Sequence, residues 1–461
     1  MVFSKIDATP KSPHGCPSGC PTRCVYYGMS NEPTAMIPPA LSTLLAGLEV
    51  AEPMVCRNLV LVPLVSPARP EPAYLHLAEA LGREGFTITE ISQGGSVPDL
   101  RLVNNLDSAV LLLDGEELRG AKQNRTLNTT LLIAPRSETN IPVSCVERGR
   151  WRYESPQFSA SHHISPSYLR RKKNRSVACS LQESKTHISD QGEVWEDVDR
   201  ALGAMKVRSR TSAVADAYAA AENELRQFVA GIPRVPGQTG FIAIVDGEVA
   251  GGDVLCRPES FDHFRDQIVR SYAMEALVAS AAVAGTGELD ELEDELREIR
   301  RRYDRVENGL EEQRRLLEKM PADPGQGASD AAGGGTQEPP QTRAMVQARI
   351  QHLERMRAIG AHDIADLVSG IERLRRQATE AAERGGGAGR SPDAWRAAAR
   401  AFLGQAAGSK ATLHATPGLG TDCRLQGDDL HGAALVVDDT VVHFSLFPTR
   451  PGEFRRARRM W

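Results

Sequence analysis

The sequence predicts an α+β fold, in which an antiparallel or sandwich-like sheet packs against helices and is interrupted by a helical hairpin. Three observations support this prediction. Short apolar segments separated by turn residues recur between residues 58 and 146, which is typical of antiparallel strands. Apolar residues at helical spacing follow between residues 192 and 284. A heptad pattern then occupies much of residues 289–374.

Composition and charge exclude several classes of protein. The chain has 461 residues, of which 41% are hydrophobic and 25% charged, so it is long enough for about two to four domains with buried cores. Its net charge is −5 and its aromatic content is 5%, which disfavours a general nucleic-acid binder. The most apolar run, residues 276–285, is too short to span a bilayer. We therefore expect a cytoplasmic protein without a membrane partner.

The eight cysteines indicate reduced thiols. Five of them stand far apart, which favours a cytoplasmic protein over a disulfide framework. Cys16, Cys20 and Cys24 are spaced C-x3-C-x3-C, a pattern that matches neither a common zinc pair nor the usual three-cysteine cluster. These three lie in a leader, residues 1–35, whose Pro, Ser and Thr content favours disorder. The sequence therefore predicts no metal site.

The first part of the predicted core spans residues 36–285. Its amino-terminal half is expected to consist mostly of strands, and residues 74–81 are expected to form a short helix closed by Gly82. The expected strands are Asn58–Val65, Phe86–Ile91, Leu100–Val103, Ala109–Leu113, Leu127–Ala134 and Ile141–Val146.

Helices dominate the second half of this part. Apolar residues at helical spacing predict helices at residues 192–205 and 212–230, with no proline inside either segment. A β-hairpin is predicted for residues 241–255, because Asp246 and Gly247 supply a turn between two apolar segments. Residues 258–284 follow as a helix with a strongly apolar face.

Residues 286–390 are predicted to form a helical hairpin inserted into the core. A first heptad seam is followed by a linker rich in Pro, Gly, Ala and Ser at residues 321–343, and then by a second seam. The seam positions are Leu289, Leu292, Leu296, Ile299, Tyr303, Val306 and Leu310, and then Val346, Ile350, Leu353, Ile364, Leu367, Ile371 and Leu374. Two such helices fit an antiparallel pair, for which a spacer or a dimerisation arm is the expected role.

The core is expected to resume at residues 391–448 and to return its last strands to the first sheet. Residues 392–403 are predicted as a helix, and residues 433–447 as a hairpin that turns at Asp438 and Asp439. Residues 449–461 are predicted to be a basic tail.

The densest group of polar residues lies between two apolar strands, at residues 114–130. Binding and catalytic groups concentrate on loops that rigid strands hold. Arg125 is suited to a phosphate, Gln123 and Asn124 to sugar or base hydrogen bonds, and Glu116 or Glu117 to a general base or a ribose contact. At most one of the two glutamates faces a shared pocket, because neighbours on a strand point to opposite sides. The alternative is a structural loop with solvated charges.

Two further polar groups follow along the chain. Cys145, Glu147 and Trp151 lie at the end of a strand, where Cys145 is a candidate nucleophile and the other two are candidate ligand contacts. A buried cysteine in a strand is, however, more often a small apolar residue. The basic run at residues 170–175 is interpreted as a solvated loop, because such charges are mostly exposed.

Near the carboxyl terminus, Asp422 and Arg424 follow a glycine-flanked turn, and His443 lies inside the last strand. If the sheet closes there, Asp422 or Arg424 completes the pocket of the first polar group. The alternative is a tight turn and a core histidine. The sequence contains no Walker loop, dinucleotide fingerprint, nucleophile elbow or zinc-protease motif, so the common enzyme classes that carry them are excluded.

Four sequence blocks carry a resemblance to a known family. They read DGEELRGAKQNRTLN, IPVSCVERGRW, QGEVWEDV and GLGTDCR, beginning at residues 114, 141, 191 and 418. Over residues 56–283 and 391–448 the chain resembles the bacterial and archaeal family called the ADP-ribosylglycohydrolase- and rhodanese-phosphatase-associated protein domain. The matching positions are Glu116, Gln123, Asn124, Arg125, Cys145, Glu147, Trp151, Gln191, Trp195, Asp422 and Arg424.

The family name refers to gene neighbours that process ADP-ribose and phosphate esters. The resemblance therefore implies a role near NAD-derived or other nucleotide conjugates, and it assigns neither a catalytic residue nor a cofactor. We expect a pocket protein that binds or processes a nucleotide-type ligand such as ADP-ribose. The alternative is a non-enzymatic interaction protein that forms a homodimer through its helical hairpin.

Overall fold

The computed structural model describes residues 35–67, 73–92, 98–150, 152–284, 287–320, 342–384 and 391–449. Outside the described residues lie residues 1–34 of the leader with Cys16, Cys20 and Cys24, the candidate Trp151, residues 321–341 of the linker and residues 450–461 of the tail.

Within these ranges the chain alternates between groups of strands and groups of helices. The strands are β1 (Ala35–Met36), β2 (Glu49–Val50), β3 (Met54–Cys56), β4 (Leu59–Val65), β5 (Tyr74–His76), β6 (Phe86–Glu90), β7 (Asp99–Asn104), β8 (Ala109–Leu112), β9 (Glu116–Gly120), β10 (Arg125–Leu127), β11 (Leu131–Ile133), β12 (Ser137–Cys145), β13 (Phe158–Ile164), β14 (Gln238–Val245), β15 (Glu248–Leu255), β16 (Lys410–Ala415), β17 (Thr421–Gln426), β18 (Leu430–Val437) and β19 (Thr440–Pro448). The helices are α1 (Pro39–Gly47), α2 (Leu77–Leu81), α3 (Ser167–Ser184), α4 (Gln191–Ala204), α5 (Val214–Ala220), α6 (Glu222–Gly231), α7 (Pro258–Ala284), α8 (Gly287–Lys319), α9 (Arg343–Arg384) and α10 (Pro392–Ala407).

The largest sheet joins the two halves of the core. Its strands follow the order β1-β16-β17-β18-β19-β15-β14-β4-β2 in the described part of the chain, with β3 also on β4, and all neighbours are antiparallel. The pairing of β15 with β19 connects a strand from the middle of the chain to one from its end. The last strands, β16 to β19, therefore belong to the same sheet as β4, which they reach through β15 and β14.

Two smaller sheets cover residues 74–164. One has the order β13-β9-β10-β12-β7-β6, and the other has the order β11-β8-β5, among the residues that the structure describes. The pair β5–β8 is parallel, whereas the other pairs are antiparallel. Aliphatic side chains from both sheets are buried together in one core. Burial of this apolar surface explains why short apolar strands recur along this part of the sequence.

Helix α7 lies against the large sheet and closes the main core. The aromatic rings of Phe261 and Tyr272 pack edge-on against Phe241 of β14, with ring centroids 6.1 and 5.4 Å apart. All three residues are fully buried. The α+β class with antiparallel sheets and packed helices is thus confirmed.

Three local predictions were wrong in detail. Residues 74–81 begin as strand β5 and become helical only at Leu77, because Tyr74–His76 pair with β8. The predicted strand at residues 127–134 is broken into β10 and β11, and the residues between them turn toward the large sheet. The predicted helix at residues 212–230 is divided into α5 and α6 at Ala221.

The basic run at residues 170–175 is not a solvated loop. It belongs to helix α3, and Arg170, Arg171 and Lys173 are buried in ion pairs with carboxylates. The prediction failed because the partner carboxylates lie far away in sequence, on other elements. Burial of charges at this depth is found only where partners compensate the lost hydration.

The long helices α8 and α9 run antiparallel along each other. Ion pairs join Glu293 to Arg375 and Arg314 to Glu354, at 2.6 and 2.7 Å. Leu296, Leu367 and Ile371 form a buried cluster between the two helices. The predicted apolar seams therefore face each other within the chain, while a true coiled-coil geometry stays a prediction. Among the described residues, none of the helices combines the length and the hydropathy that crossing a bilayer requires.

Gly420 provides a test of the turn that leads into β17. Its φ is +86°, and a Cβ at this position would lie 2.4 Å from the carbonyl oxygen of Val436. We expect Gly420→Ala to lower the free energy of unfolding by more than about 1 kcal/mol, measured by urea denaturation.

The matched control is Gly404→Ala within α10, where an added Cβ meets no atom within 4 Å. This substitution should raise the free energy of unfolding by about 0.5–1 kcal/mol, because alanine is the better helix former. Equal stability of Gly420→Ala and the wild type would contradict the described turn.

Candidate functional site

Polar residues occupy adjacent positions on one face of the large sheet. Asp422 and Arg424 alternate along β17 and therefore share a face. The strand register places Arg424 in one row with Ser445 and Asp253, and Asp422 in the next row with His443. Five polar side chains therefore lie next to one another on this face of the sheet.

Arg170 from α3 lies at the centre of this face. Its guanidinium donates two hydrogen bonds to the Asp253 carboxylate, at 3.0 and 2.5 Å, and a third to Asp114 at 3.3 Å. Burial alone would raise the pKa of Asp253, but Arg170 and the hydrogen bond from His443 hold it well below its usual range. Gly115, with φ +87°, allows this approach, because a Cβ there would lie 2.9 Å from Arg170 Cδ.

Lys173, one helical turn further along α3, is also fully buried. Its ammonium lies 2.9 Å from Asp114 and donates to the carbonyl oxygen of Leu127. Burial lowers the pKa of Lys173, and the Asp114 carboxylate opposes this change. Asp114 therefore contacts two cations at once, and this joins the turn after β8 to α3.

The loop between β10 and β11 reaches the sheet through two threonine hydroxyls. Thr130 Oγ1 lies 2.8 Å from His443 Nδ1, and His443 Nε2 lies 3.2 Å from Asp253. Thr129 Oγ1 accepts a hydrogen bond from Arg424 at 2.8 Å and donates to Asp422 at 3.3 Å. Residues from the first polar segment and from the carboxyl-terminal strands are thus brought together.

Asp422 is held between two donors. Arg424 Nη2 lies 2.6 Å from its carboxylate and His187 Nε2 lies 2.9 Å from it. Burial by itself would raise the pKa of Asp422, but the Arg424 charge and the His187 hydrogen bond lower it to about 2. The carboxylate is therefore ionised at neutral pH.

A small cavity lies between the sheet face, the β10–β11 loop and α3. Water can enter a volume of about 10 Å3, which is room for about one molecule. Its polar lining consists of Asp114, Asn128, Thr129, Thr130, Asn174, Asp422, Arg424, His443 and Ser445.

Arg424 and Asn174 bring unsatisfied polar atoms to this cavity. Arg424 Nε and Nη1 and Asn174 Oδ1 are buried and have no hydrogen-bond partner among the described residues. Both residues are at most 3% exposed. An unpaired buried polar group costs roughly 1–3 kcal/mol, and more when it is charged, so these atoms are candidate contacts for a water molecule or a ligand.

The two candidate glutamates lie outside the cavity. Glu116 accepts a hydrogen bond from the Leu113 N–H at 2.6 Å, and burial raises its pKa to about 8. Glu117 faces Asn124 and Ser161 at 3.0 and 3.2 Å, and burial raises its pKa to about 7. Neither side chain lines the cavity, although the raised pKa values keep a proton available near neutral pH.

Gln123, Asn124 and Glu147 form a separate polar group. Asn124 Nδ2 donates to Glu117, and its Oδ1 accepts from Arg150 at 3.0 Å. Glu147 accepts from the Asn124 N–H at 3.1 Å and from Arg150 at 2.9 Å. Gln123 Nε2 donates to the carbonyl oxygen of Arg148 at 3.3 Å. These contacts hold the β9–β10 turn against the end of β12.

Arg125 and Cys145 face each other in the six-stranded sheet. The Arg125 guanidinium donates to Cys145 Sγ and lies 3.6 Å from the Glu90 carboxylate. Burial raises the pKa of Cys145 to about 11, so its thiol stays protonated at neutral pH and lacks the thiolate that a nucleophile needs. Arg125 is fully buried and does not line the cavity.

The structure therefore brings only some of the predicted site residues together. Asp422 and Arg424 meet the end of the first polar segment, but at Thr129 and not at Arg125. Sequence reasoning missed the carboxylates of Asp114 and Asp253, the amide of Asn174 and the buried cations of α3. The alternation of polar residues along β17 and β19 could have indicated these site residues. Asp253 lies alone within an apolar strand, and nothing in the sequence pattern singled it out.

The greater part of the chain matches one protein family. The match covers residues 47–331 and 371–447 and is to the ARG and Rhodanese-Phosphatase-superfamily-associated Protein domain. The chain belongs to this family. Comparisons with curated proteins and with solved structures found no significant match.

The family match extends into the pair of long helices. It includes all of α8 and the last part of α9, from residue 371 onward. The sequence resemblance had covered only residues 56–283 and 391–448. The matched residues therefore include α8 and the end of α9, whereas residues 332–370 lie outside the match.

Arg170 is expected to be essential for stability. Arg170→Met leaves Asp253 and Asp114 buried without the guanidinium, and removal of one partner of a buried ion pair costs about 3–5 kcal/mol. The control is Arg101→Met, because Arg101 pairs with Glu138 on the surface and such pairs contribute about 0–1 kcal/mol. Urea denaturation of both variants measures the difference, and comparable losses would refute the assigned role.

Glu116 should make stability depend on pH. The folded protein holds the Glu116 proton up to a pH near 8, whereas an unfolded glutamate releases it near 4.5. The free energy of unfolding should therefore fall as the pH rises from the unfolded to the folded pKa of this carboxyl. Between these two pKa values, this single carboxyl should lower the free energy of unfolding by about 1.4 kcal/mol per pH unit.

Glu116→Gln should reduce this fall, because the amide is neutral and still accepts from Leu113. The variant should equal the wild type at a pH near the unfolded pKa and exceed it in stability near pH 8, as measured by denaturation at each pH. Glu138→Gln, at an exposed ion pair, is the control. An unchanged pH slope in Glu116→Gln would show that the buried carboxyl does not titrate as described.

Proposed function

We propose that the protein binds a nucleotide-type ligand such as ADP-ribose, and that Arg424 holds an anionic group of this ligand in the cavity. The observation that carries the proposal is the pair of guanidinium nitrogens, Nε and Nη1, that are buried and lack a partner among the described residues. Phosphate oxygens are suitable acceptors for charged guanidinium donors, and because Nε–H and Nη1–H lie on different edges of the group, each would contact a different acceptor atom.

The neighbours of Arg424 support an oxygen-rich ligand. Asn128, Thr129 and Thr130 present amide and hydroxyl groups, and Asn174 presents an unpaired carbonyl oxygen that suits a ligand hydroxyl. The carboxylates of Asp114 and Asp422 are already in ion pairs, which reduces their repulsion toward an anion.

The size of the cavity sets a condition on binding. A volume of about 10 Å3 admits little more than one water molecule, so a phosphate enters only if the cover opens. The cover includes the loop between β10 and β11. The strand β11 that follows this loop is tied to the turn before β17 by a hydrogen bond from Leu419 N–H to the Leu132 carbonyl, 2.7 Å long. The sugar and base would lie beyond this cover.

The surrounding chemistry favours binding over covalent catalysis. The candidate nucleophile Cys145 has a pKa of about 11 and faces Arg125, away from the cavity lining. Arg424 therefore replaces Arg125, the contact expected from the sequence, as the residue that holds the anion.

Thermal unfolding with a ligand panel tests this proposal. Saturating ADP-ribose, at about 100 times its Kd, should stabilise the wild type by about 2.7 kcal/mol, and ADP, ribose 5-phosphate and inorganic phosphate separate the parts of the ligand. Arg424→Gln should lose this stabilisation. Because Arg424 also supports Asp422, the variant is compared with itself in the presence and absence of ligand.

Two matched variants complete the experiment. Thr129→Val keeps the shape of the side chain, removes its hydroxyl and should weaken the ligand-induced shift, whereas Arg101→Gln on the surface should leave that shift unchanged. Absence of stabilisation of the wild type by every compound in the panel would refute the proposed function.

Dimerisation through α8 and α9 is the alternative proposal. The buried cluster of Leu296, Leu367 and Ile371 already lies between the two helices of one chain, so a dimer would have to use their outer surfaces. Light scattering of the full chain tests this alternative. A monomeric mass at micromolar concentration would remove its support.

A further inference from the structure

A group of metal-ligating side chains lies apart from the residues that line the cavity. His76 immediately precedes α2, Glu79 lies one helical turn later, and His263 comes from α7. One ligand atom from each of the three residues lies within 4.8 Å of the other two. The short helix α2 and the long helix α7 thus bring two imidazoles and a carboxylate to one place.

We propose that His76, Glu79 and His263 form a binding site for a divalent transition-metal ion, with Zn2+ as the preferred occupant. Two imidazoles and one carboxylate are a ligand set that zinc uses in proteins, where a water or a substrate takes the fourth position. Imidazole nitrogen combined with carboxylate oxygen also disfavours Mg2+ and Ca2+, which take oxygen ligands.

The distances suit this assignment. Ligand atoms around one tetrahedral zinc ion are roughly 3.4 Å apart, as follows from zinc–ligand bonds of about 2.1 Å. His76 Nδ1 and the Glu79 carboxylate oxygen Oε2 are 3.5 Å apart. The same oxygen accepts the backbone N–H of His76 at 3.1 Å, which fixes the carboxylate beside the ring before any ion binds.

The two imidazole rings are stacked, with centroids 3.7 Å apart and an angle of 9° between their planes. His76 Nε2 is buried and has no hydrogen-bond partner among the described residues, whereas Nδ1 lies beside the Glu79 carboxylate. Lone pairs of parallel rings do not converge, so one ring must rotate about its side-chain torsions when the ion binds. A bound ion would then satisfy a His76 nitrogen.

The surroundings leave one side of the group open. Phe264 packs edge-on against both rings, at 5.2 and 4.8 Å, and forms an apolar wall. The Glu79 side chain is 48% exposed and that of His76 is 12% exposed, so an ion reaches the site from solvent. The fourth coordination position would face this open side.

Zinc binding by the full chain tests the proposal. The leader contains Cys16, Cys20 and Cys24, which are potential zinc ligands, so all three are first changed to serine. After treatment with a chelator and desalting, this triple serine variant should bind one equivalent of Zn2+ in competition with a chromophoric chelator. Co2+ should give a visible absorption band characteristic of four-coordinate geometry.

Two substitutions in the triple serine background locate the ion. His263→Ala and Glu79→Gln should each weaken Zn2+ binding by more than about 100-fold. Loss of a residue that only hydrogen-bonds to a metal ligand weakens binding by about 10–100-fold, so a larger loss identifies a ligand. Glu79→Gln keeps an acceptor for the His76 N–H and therefore preserves the helix start. His352→Ala, at an exposed histidine of α9, should bind as tightly as the parent.

Two results would overturn the proposal. One is the absence of Zn2+ binding by the triple serine variant, which would assign any wild-type binding to the leader cysteines. The other is unchanged affinity in both His263→Ala and Glu79→Gln. Thermal unfolding without metal verifies that the variants are folded, so that a loss of binding reflects the loss of a ligand.

Discussion

The fully buried Arg170 organises the interior of this protein. Its guanidinium joins three elements that are far apart in sequence, namely α3, the turn after β8 through Asp114, and β15 through Asp253. Lys173 and Arg424 add two more buried cations, and Asp422 adds a third carboxylate. The positive and negative charges are equal in number across these six residues. Desolvation of each charge is therefore offset only when all the elements are in place.

The buried charges also explain why the candidate site is small and polar. Ion pairs join α3 to the sheet, and the cavity beside them is lined mainly by polar side chains. Arg424 uses Nη2 for Asp422 and Thr129, while Nε and Nη1 have no hydrogen-bond partner among the described residues. In the proposed function these ion pairs hold the charged side chains in place, while the loop that carries Thr129 and Thr130 has to open before a ligand enters.

Local patterns predicted much of the fold. The hairpin at Asp246 and Gly247 and the helix at residues 258–284 follow from short-range turn chemistry and periodicity, and both are observed. Helix α3 was missed, because its buried cations look like surface residues until their partners are known. The candidate site was only partly predictable for the same reason. Asp422 and Arg424 could be singled out from the sequence. Their contact with Thr129 could not, because it joins residues nearly 300 positions apart and depends on how the whole sheet assembles.

The order of strands in the large sheet has a consequence for biosynthesis. Strand β15 pairs on one side with β14, its immediate neighbour in the chain, and on the other side with β19, which ends at residue 448. While the ribosome is still translating α8 to α10, the outer edge of β15 has no strand to pair with, and Asp253 lacks the contact with His443. An open edge of this kind invites association with other nascent chains. The edge is covered only after residues 440–448 have been synthesised and β19 pairs with β15.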